Sequence, residues 1–305
     1  MITVAVWLWA LLALCIAFLV YARFIEPMRL QVSRRDVHLP GLPAELDGTV
    51  IAHLSDLHCR PEPRALRIAR RAIDEVIAAD ADLLCVSGDL AHHSPFVELT
   101  GEVVAPLAGI ANRLAAVLGN HDHDRTLEAY AFGLTGPHLP LRQVIASLGK
   151  AGIPILHNES RTVAVRGRPV AVIGLGDTSC GYDDLEAALK AAPQGDLRVV
   201  VTHSPDAMDL PGIEWADLVL CGHTHGGQLT LPGIGSPWAP VWRDRRRSEG
   251  LFEVAGTLCH VSRGVGAGTN ARFRCRPEIT LLTLRRSIGV VRRLPQQGGA
   301  KESRP

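Results

Sequence analysis

Five short polar clusters along the chain carry side chains of the types that bind transition metals. Each cluster directly follows an apolar run that predicts a strand, so each is expected at the carboxyl end of that strand. In open α/β sheets the loops at this end converge, and ligands bind there. The clusters are Asp56-Leu57-His58, Gly88-Asp89, Gly119-Asn120-His121-Asp122, Thr202-His203 and Gly222-His223-Thr224-His225.

The spacing within the clusters favours a shared site. Asp56 and His58 are two residues apart, and in an extended segment such residues point to the same face. His223 and His225 repeat this spacing near the other end of the domain. Glycines in the clusters allow sharp turns that would crowd the donors into a small volume; they are Gly88, Gly119, Gly222 and Gly226.

The donor set indicates which ions such a site would take. Nitrogen and oxygen donors without a clear cysteine role suit Mn, Fe, Zn, Ni or Co better than Ca, which prefers oxygen alone. Seven or more donors exceed the four ligands of one structural zinc. Two divalent ions about 3.5–4 Å apart, bridged by one carboxylate, fit the number. Such a pair acidifies a water and neutralises an oxyanion, which is the chemistry of phosphate ester hydrolysis.

Alternating strands and helices would position these clusters. Apolar periodicity and turn signals predict strands at 49–54, 82–87, 114–118, 162–165, 169–174, 197–202, 217–220, 228–231, 250–254, 257–262 and 278–284. They predict helices at 64–79, 95–110, 138–151 and 183–192. The alternation favours an α/β fold, and the late strands indicate a second sheet packed on the first.

The ordered set of clusters resembles the calcineurin-like metallophosphoesterase family. All five blocks occur in the family's order, and the resemblance covers residues 50–284. The strings HLSDLH at 53–58 and GHTHGGQ at 222–228 are most similar to the membrane-anchored YkuE/YaeI-type branch, as are SRG at 262–264 and PEI at 277–279. The resemblance implies a four-layer α-β-β-α sandwich, in which two mixed sheets pack face to face between helices.

The resemblance also implies a role for each candidate residue. A metal-bridging hydroxide would attack phosphorus in line. His121 would protonate the leaving group as the general acid, and Asp122 would orient the ring of His121. Seven residues would be metal ligands: Asp56, His58 and His225 for one ion, Asn120, His203 and His223 for the other, and Asp89 as the bridge between them.

One block departs from the family pattern. Many members follow Gly-Asp with a hydrophobic residue and a second Asp, whereas Gly88-Asp89 continues here into Leu90-Ala91-His92-His93. One of the two histidines, His92 or His93, could line a substrate cleft. Exposure to solvent is the favoured interpretation for both, because a histidine outside a motif is more often a surface residue.

The first 22 residues form an apolar run without a charged side chain. As a helix it would be about 33 Å long, enough to cross a bilayer core. A signal peptide is the alternative, but the run has no basic start and exceeds the usual length of one, which favours an uncleaved anchor. Four arginines follow the run and neither Lys nor Arg precedes it, which predicts a single-pass membrane protein with a cytoplasmic catalytic domain.

Composition and the positions of proline and glycine predict the domain organisation. The predicted division is a transmembrane anchor at 1–22, a linker with one strand at 23–48, a metallophosphoesterase domain at 49–285 and a disordered basic tail at 286–305. The net charge of +1 gives no indication of a nucleic-acid partner. The seven cysteines include no CxxC pair, so buried free thiols are predicted rather than disulfides or a thiolate zinc site.

Two further segments carry patterns that could bind a ligand. Trp238 and Trp242 lie in a stretch rich in Pro and Gly, beside the run RDRRR at 243–247. Contact with a membrane surface and a solvated loop are both compatible with this pattern. The glycine-bearing stretch at 264–268 lacks a following helix pattern, so it is interpreted as a loop near the cleft rather than as a dinucleotide site.

Two functional hypotheses follow from these residues. The leading one is a membrane-anchored phosphohydrolase with two divalent metal ions, manganese first, that cleaves a phosphomonoester, phosphodiester or pyrophosphate bond. Its substrate would be lipid-linked or close to the membrane. The competing hypothesis is a catalytically silent scaffold with the same fold. The complete set of seven ligands together with His121 favours the enzyme.

Overall fold

The chain forms two β-sheets with helices on their outer faces. A computed structural model describes residues 2–124, 138–231, 235–237, 240, 245–266 and 271–287. The helices of this part are α1 (Ile2–Val20), α2 (Pro63–Ala78), α3 (Val97–Val104), α4 (Leu141–Lys150) and α5 (Leu185–Lys190). Its strands are β1 (Gln31–Pro40), β2 (Val50–Leu54), β3 (Leu83–Ser87), β4 (Leu114–Val117), β5 (Glu159–Val165), β6 (Arg168–Gly174), β7 (Leu197–Val201), β8 (Leu218–Cys221), β9 (Gly250–Val254), β10 (Thr257–Val261) and β11 (Glu278–Ser287).

The first sheet has the strand order β1-β11-β2-β3-β4. Strands β2, β3 and β4 are parallel, while β11 runs antiparallel to β2 and parallel to β1. Every residue of β3 is buried, as expected for a central parallel strand that is covered on both faces. Helix α2 covers one face of this sheet with the buried stripe of Ile68, Ile73 and Val76, while its arginines face outward.

The second sheet has the strand order β5-β6-β7-β8-β10-β9. Its inner strands are parallel, and a hairpin at each edge adds the antiparallel strands β5 and β9. Apolar side chains of both sheets, such as Val117 and Val199, form one core between the sheets. Helices cover the two outer faces through separate apolar clusters. The predicted α-β-β-α sandwich with two mixed sheets is confirmed.

Two predicted elements are wrong. The segment 228–231 is not a strand, because it forms only single bridges at Leu229 and Leu231 and its first residue, Gln228, has a φ of 60°. The helix predicted at 95–110 is divided into α3 and two 3₁₀ segments, Ser94–Phe96 and Ala105–Arg113. Pro106 explains the second break, because its nitrogen cannot donate to the carbonyl of an earlier turn.

The segment 23–48, predicted as a linker with one strand, contributes β1 to the first sheet. Ten residues of β1 pair with β11, from Gln31 opposite Glu278 to Pro40 opposite Ser287. This pairing ties residues 31–40 of the segment to the sheet. The tail beyond residue 287, Trp238, Trp242 and residues 267–268 lie outside the described residues.

Helix α1 leaves its apolar side chains exposed. Trp7 is 75% exposed and Trp9 is 70% exposed. The span Val4–Met28 is long and apolar enough to cross a membrane by length and composition. The carboxyl end of the helix is fixed to the domain, since Phe18 packs edge-on against Phe273 with ring centroids 4.9 Å apart. The backbone N–H of the neighbouring Arg272 donates to the carbonyl oxygen of Ala22 at 2.9 Å.

Candidate metal centre

The predicted ligands lie on tight turns that follow the strands. Asp56 and His58 have φ values of 55° and 47°, and Asp89, His223 and His225 also have positive φ. The prediction that extended backbone directs Asp56 and His58 to one face is therefore wrong. Left-handed backbone at a non-glycine residue is unfavourable by roughly 1–2 kcal/mol. Such strain is typical of functional sites, where the surrounding structure maintains it.

Asp56, His58 and His225 form the first donor group. All three side chains are buried, and their nearest donor atoms lie within 4.8 Å of one another. Nε2 of His58 lies 3.2 Å from Nε2 of His225, and Oδ1 of Asp56 lies 3.6 Å from the latter nitrogen. Two imidazole nitrogens this close cannot both carry a proton that points at the other. With both nitrogens deprotonated, as metal binding requires, their lone pairs would converge on one point.

Asn120, His203 and His223 form the second donor group. Oδ1 of Asn120 lies 2.9 Å from Nδ1 of His223 and 3.1 Å from Nε2 of His203. These two ring nitrogens are 3.2 Å apart. The other ring nitrogen of His203 lies 2.8 Å from the carbonyl oxygen of Ser87 and can only donate to it. That contact directs Nε2 of His203 toward the group.

Asp89 lies between the two donor groups. Its Oδ2 is 3.5 Å from Nε2 of His58 in the first group and 3.2 Å from Nε2 of His203 in the second. Its Oδ1 accepts a hydrogen bond of 2.9 Å from the backbone N–H of His121. The structure thus brings all seven predicted ligands into one cluster at the ends of strands from both sheets.

Two glycines make this close approach sterically feasible. A Cβ at Gly119 would lie 2.3 Å from Oδ1 of Asp89. A Cβ at Gly222 would lie 1.8 Å from Oγ of Ser55 and 2.4 Å from Oδ2 of Asp56. Glycine is therefore required at these two positions because a larger residue would collide with the carboxylates, and not because the backbone angle is unusual.

The electrostatics of the buried donors fit divalent cations. Burial raises the pKa of Asp56 to about 7, and it lowers the pKa of His223 to about 4. Burial likewise lowers the pKa values of His58 and His225 well below the ordinary value. Neutral imidazole is the form that binds a metal, and bound cations would offset the burial of the carboxylate charge. These four residues therefore suit a metal centre, and at His203, whose pKa, despite burial, Asp89 holds well above its ordinary value, a bound cation would take the place of the proton.

His121 lies beside the first donor group. The centroid of its ring is 4.4 Å from that of His58, and the side chain is only partly buried. Nδ1 of His121 lies 2.9 Å from the carbonyl oxygen of His92. A carbonyl oxygen can only accept, so this contact places a proton on Nδ1 and leaves Nε2 facing the site.

Asp122 has other partners than the predicted one. Among the contacts of the described residues, its carboxylate accepts hydrogen bonds from three backbone N–H groups, at 3.2, 2.8 and 3.0 Å, namely those of Leu90, Ala91 and Gly119. The prediction that Asp122 orients the ring of His121 is therefore wrong. The buried carboxylate instead joins the loop after β3 to the loop after β4 through these backbone donors.

His92 belongs to the site, and the expectation of a solvent-facing side chain is wrong. Its Nδ1 lies 3.3 Å from Nδ1 of His58, and its ring stacks on that of His121 with centroids 5.0 Å apart. The turn after Asp89 directs the ring inward. The sequence signal for this role of His92 is its position three residues after the candidate ligand Asp89. His93 lies further out, 3.4 Å from a carboxylate oxygen of Asp124.

A chain of buried side chains behind Asp56 was missed. Ser55 donates to Oδ2 of Asp56 at 2.5 Å, and Ser87 donates to Oγ of Ser55 at 2.8 Å. Nε2 of His53 lies 2.8 Å from Oγ of Ser87, and its Nδ1 lies 2.8 Å from Nδ1 of His260. All five side chains are fully buried. This network of side chains fixes Oδ2 of Asp56 and leaves the other carboxylate oxygen for the first donor group.

Arg272 was also missed, and the sequence around it carries no signal for its role. Its side chain is fully buried. The guanidinium donates to backbone carbonyl oxygens of the loop before it and of a residue after it: Arg263, Gly264, Gly266 and Cys275. In the same loop, the N–H groups of Val265 and Gly266 donate to the carbonyl oxygens of Ser55 and Asp56 at 3.1 and 2.6 Å. Arg272 therefore supports the loop that packs on the Asp56 turn.

Comparison with known proteins agrees with this geometry. Residues 49–227 match the profile of the Calcineurin-like phosphoesterase family, which is more than half of the chain. The chain is 34% identical over 238 residues to Phosphodiesterase YaeI of Escherichia coli (strain K12), covering 77% of this chain and 81% of that protein. The two-sheet fold and the donor cluster define the class, and these matches assign the family: the chain belongs to the calcineurin-like phosphoesterases.

Two more relatives extend the likeness over most of the chain. Uncharacterized metallophosphoesterase YkuE of Bacillus subtilis (strain 168) is 28% identical, covering 87% of this chain and 89% of its own. UDP-2,3-diacylglucosamine pyrophosphatase LpxG of Chlamydia trachomatis is 25% identical, covering 86% and 92%. The family uses a binuclear divalent metal centre, and the protein is a metal-dependent phosphohydrolase.

Proposed function

We propose that this chain is a membrane-anchored phosphohydrolase whose donor groups hold two divalent metal ions. The observation that carries the proposal is the position of Asp89, whose Oδ2 lies 3.5 Å from Nε2 of His58 and 3.2 Å from Nε2 of His203. One carboxylate oxygen between two imidazoles suits a bridging ligand. The remaining proposed ligands are Asp56, His58 and His225 for one ion, and Asn120, His203 and His223 for the other.

Manganese is the ion that we expect first, because mixed nitrogen and oxygen donors suit it; Fe, Zn, Ni and Co fit the same donors. Bound divalent ions would lower the pKa of a water and offset the negative charge that develops on the phosphate. The chain keeps the donors in place for this task. Ser55 holds Asp56, and the carbonyl of Ser87 holds His203.

His121 is the residue that we propose to protonate the leaving group. Because its Nδ1–H donates to the carbonyl oxygen of His92, Nε2 is the ring atom that can reach a substrate, and the imidazolium form would carry on Nε2 the proton that passes to the leaving group. Its partial exposure beside the buried ligands supports this role. Asp122 acts indirectly, by fastening the loop of Asn120 and His121 to the residues after β3.

The substrate that we propose is a phosphodiester or pyrophosphate that is lipid-linked or lies at the membrane surface. One relative is named a phosphodiesterase and another a pyrophosphatase of a diacylated nucleotide sugar. The span Val4–Met28 would hold the site near a bilayer. Arginines follow the apolar run directly, which favours a cytoplasmic site.

The test is hydrolysis by the full chain, purified in a nonionic detergent, stripped of metal and reloaded with Mn²⁺. A phosphomonoester, a phosphodiester and a nucleotide diphospho-lipid are compared, and bound metal is measured by elemental analysis. We expect about two ions per chain and turnover of the diester or the diphospho-lipid. Two bound ions with no hydrolysis of any substrate would favour the scaffold hypothesis, and no bound metal would contradict the proposed ligands.

A further inference from the structure

A cleft rich in arginine lies where α1 meets the domain. The space inside it, with its open mouth, is about 420 Å³. Its lining includes Arg23 from the residues after α1, Arg60 and Arg64 from around the start of α2, and Arg272 from the loop near β11. Glu62 is its acidic lining residue. The cleft is therefore strongly cationic, and its arginines come from three separate parts of the chain.

The cleft has little carboxylate to neutralise these charges. Glu62 is engaged by Arg60, with Nε and Oε2 3.2 Å apart. In the part of the chain that the structure describes, Arg23, Arg64 and Arg272 form no ion pair with a carboxylate. The guanidinium groups of Arg23 and Arg64 thus remain for a ligand, while the buried Arg272, which donates to backbone carbonyls, adds positive charge to the wall. Arginine suits phosphate in particular, because its planar fork donates two parallel hydrogen bonds to phosphate oxygens.

Two of the arginines are held at the mouth by one aromatic ring. The guanidinium of Arg64 lies 4.5 Å from the ring centroid of Phe24, and that of Arg23 lies 5.3 Å from it. Such cation–π contacts restrict both side chains without neutralising their charge. Arg64 belongs to the catalytic domain, so the rule that places basic residues beside a membrane span does not account for it.

The rest of the cleft wall is apolar and faces the end of the candidate membrane span. Met28, Ile68 and Val265 contribute apolar surface beside the arginines. A ligand that fits both surfaces carries a phosphate group and a hydrocarbon part. An amphiphile at the membrane surface has this chemistry, because its phosphate lies at the level at which α1 leaves the bilayer.

The cleft shares a wall with the metal centre. Val265 and Gly266 line it, and their N–H groups donate to the carbonyl oxygens of Ser55 and Asp56 at 3.1 and 2.6 Å. Arg60, on the same wall, follows His58 by two residues. A phosphate in the cleft would therefore be a second phosphate, separate from the one that reacts at the donor groups.

We infer that the arginine cleft binds the phosphate group of an amphiphile, either a second phosphate of the substrate or the headgroup of a bilayer lipid. The inference rests on the proposed function for its membrane setting and its reacting phosphate. It assigns the cleft as a binding site outside the metal centre.

The first test measures binding without catalysis, on the metal-free full chain in nonionic micelles. Phosphatidic acid is added to one sample and diacylglycerol to another, and the midpoint of thermal unfolding is recorded, since a ligand that binds the folded state raises it. The cleft variant is Arg23→Gln/Arg64→Gln. The charge-matched control is Arg67→Gln/Arg70→Gln, whose side chains are exposed on α2 outside the cleft.

Phosphatidic acid should raise the midpoint for the wild type and the control, and diacylglycerol should not. The cleft variant should show a much smaller rise. An equal rise in all three proteins would overturn the inference, because it would indicate general charge attraction, and so would no rise in any of them. This result does not depend on hydrolysis, so it stands apart from the outcome for the proposed function.

The second test identifies the source of the phosphate. Metal-loaded proteins hydrolyse two alkyl esters of the same chain length, one with a single phosphate and one with a diphosphate. If the substrate supplies the phosphate, the cleft variant should raise KM for the diphosphate alone, by about tenfold or more, as the loss of charged hydrogen bonds implies. If the cleft variant keeps its KM but loses the shift in unfolding midpoint, the phosphate comes from a bilayer lipid. Either pattern supports the assignment of the cleft as a phosphate-binding site.

Discussion

The two donor groups of the metal centre are supported in different ways. In the first group, Asp56 is held by the hydroxyl groups of Ser55 and Ser87, with two buried imidazoles behind them. In the second group, His203 is held by a backbone carbonyl, that of Ser87. One residue at the end of β3 thus supports both groups, through its side chain on one side and its backbone on the other. Changing a supporting side chain should therefore weaken metal binding in one donor group, whereas distorting the backbone should weaken it in both.

The largest effect is expected where the two groups meet. Asp89→Ala removes the carboxylate that lies within 3.5 Å of Nε2 of His58 and 3.2 Å of Nε2 of His203. Both groups should lose affinity, with metal content falling and activity dropping below detection. Elemental analysis and steady-state hydrolysis measure this. Asp74→Ala, at an exposed position on α2, is the control. Two fully bound ions in the Asp89 variant would rule out the bridge.

Gly119→Ala should disturb both groups through the backbone. The added Cβ would lie 2.3 Å from Oδ1 of Asp89 and 2.7 Å from Cγ of His203, so both side chains must move. We expect a loss of metal and activity close to that of Asp89→Ala. Gly109→Ala is the matched control, because a Cβ at Gly109 meets nothing within 4 Å. Equal activity of the two variants would show that the crowding is relieved easily.

His121→Ala should leave both groups intact and slow the chemistry. General acid catalysis contributes roughly 10²–10⁴-fold, and the loss should be largest for esters with poor leaving groups. Hydrolysis rates across a series of aryl and alkyl esters measure the dependence, and metal content provides the control. An equal loss for good and poor leaving groups would contradict the role of proton donor.

Ser87→Ala should weaken metal binding in the first donor group only, and its effect should be the smallest of the four variants. It removes the hydroxyl that supports Asp56 through Ser55, while the carbonyl that accepts from His203 remains. Affinity should fall by about 10–100-fold for one ion only, as is typical when a group behind a ligand is lost. Metal titration should then show one weakened and one unchanged site. Ser160→Ala, on an exposed hydroxyl of β5, should change neither.

A uniform loss of affinity in Ser87→Ala would contradict the distinction between side-chain and backbone support. It would mean that the two groups form one cooperative unit. Restoring a hydroxyl with Ser87→Thr should recover the weakened site if the contact itself matters, whereas a general packing defect would persist.

The layered fold was predictable because its signals are local. β3 is a continuous apolar run, and α2 repeats buried residues at helical spacing, so both elements follow from the sequence within a residue or two. The strand predicted at 228–231 failed because its apolar residues follow two glycines in a turn. Apolar alternation over four residues cannot distinguish a strand from such a turn.

The seven ligand candidates were predicted, but not the reason for their convergence. Asp56 and His58 were expected to share a face of extended backbone, whereas both have left-handed angles. His92 and Asp122 were misjudged because their partners are distant in sequence or belong to the backbone. The contact between His53 and His260 joins residues 207 positions apart, which no local pattern encodes.

By itself, the sequence determined which donors exist and that they follow strand ends, because metal-binding residue types and apolar runs are visible locally. Only the tertiary structure decided how left-handed turns bring the donors together around Asp89, and that arginines from three segments meet beside α1. The physical reason is that convergence depends on turn angles and on packing between two sheets. Both are properties of the folded chain, and spacing along the sequence does not specify them.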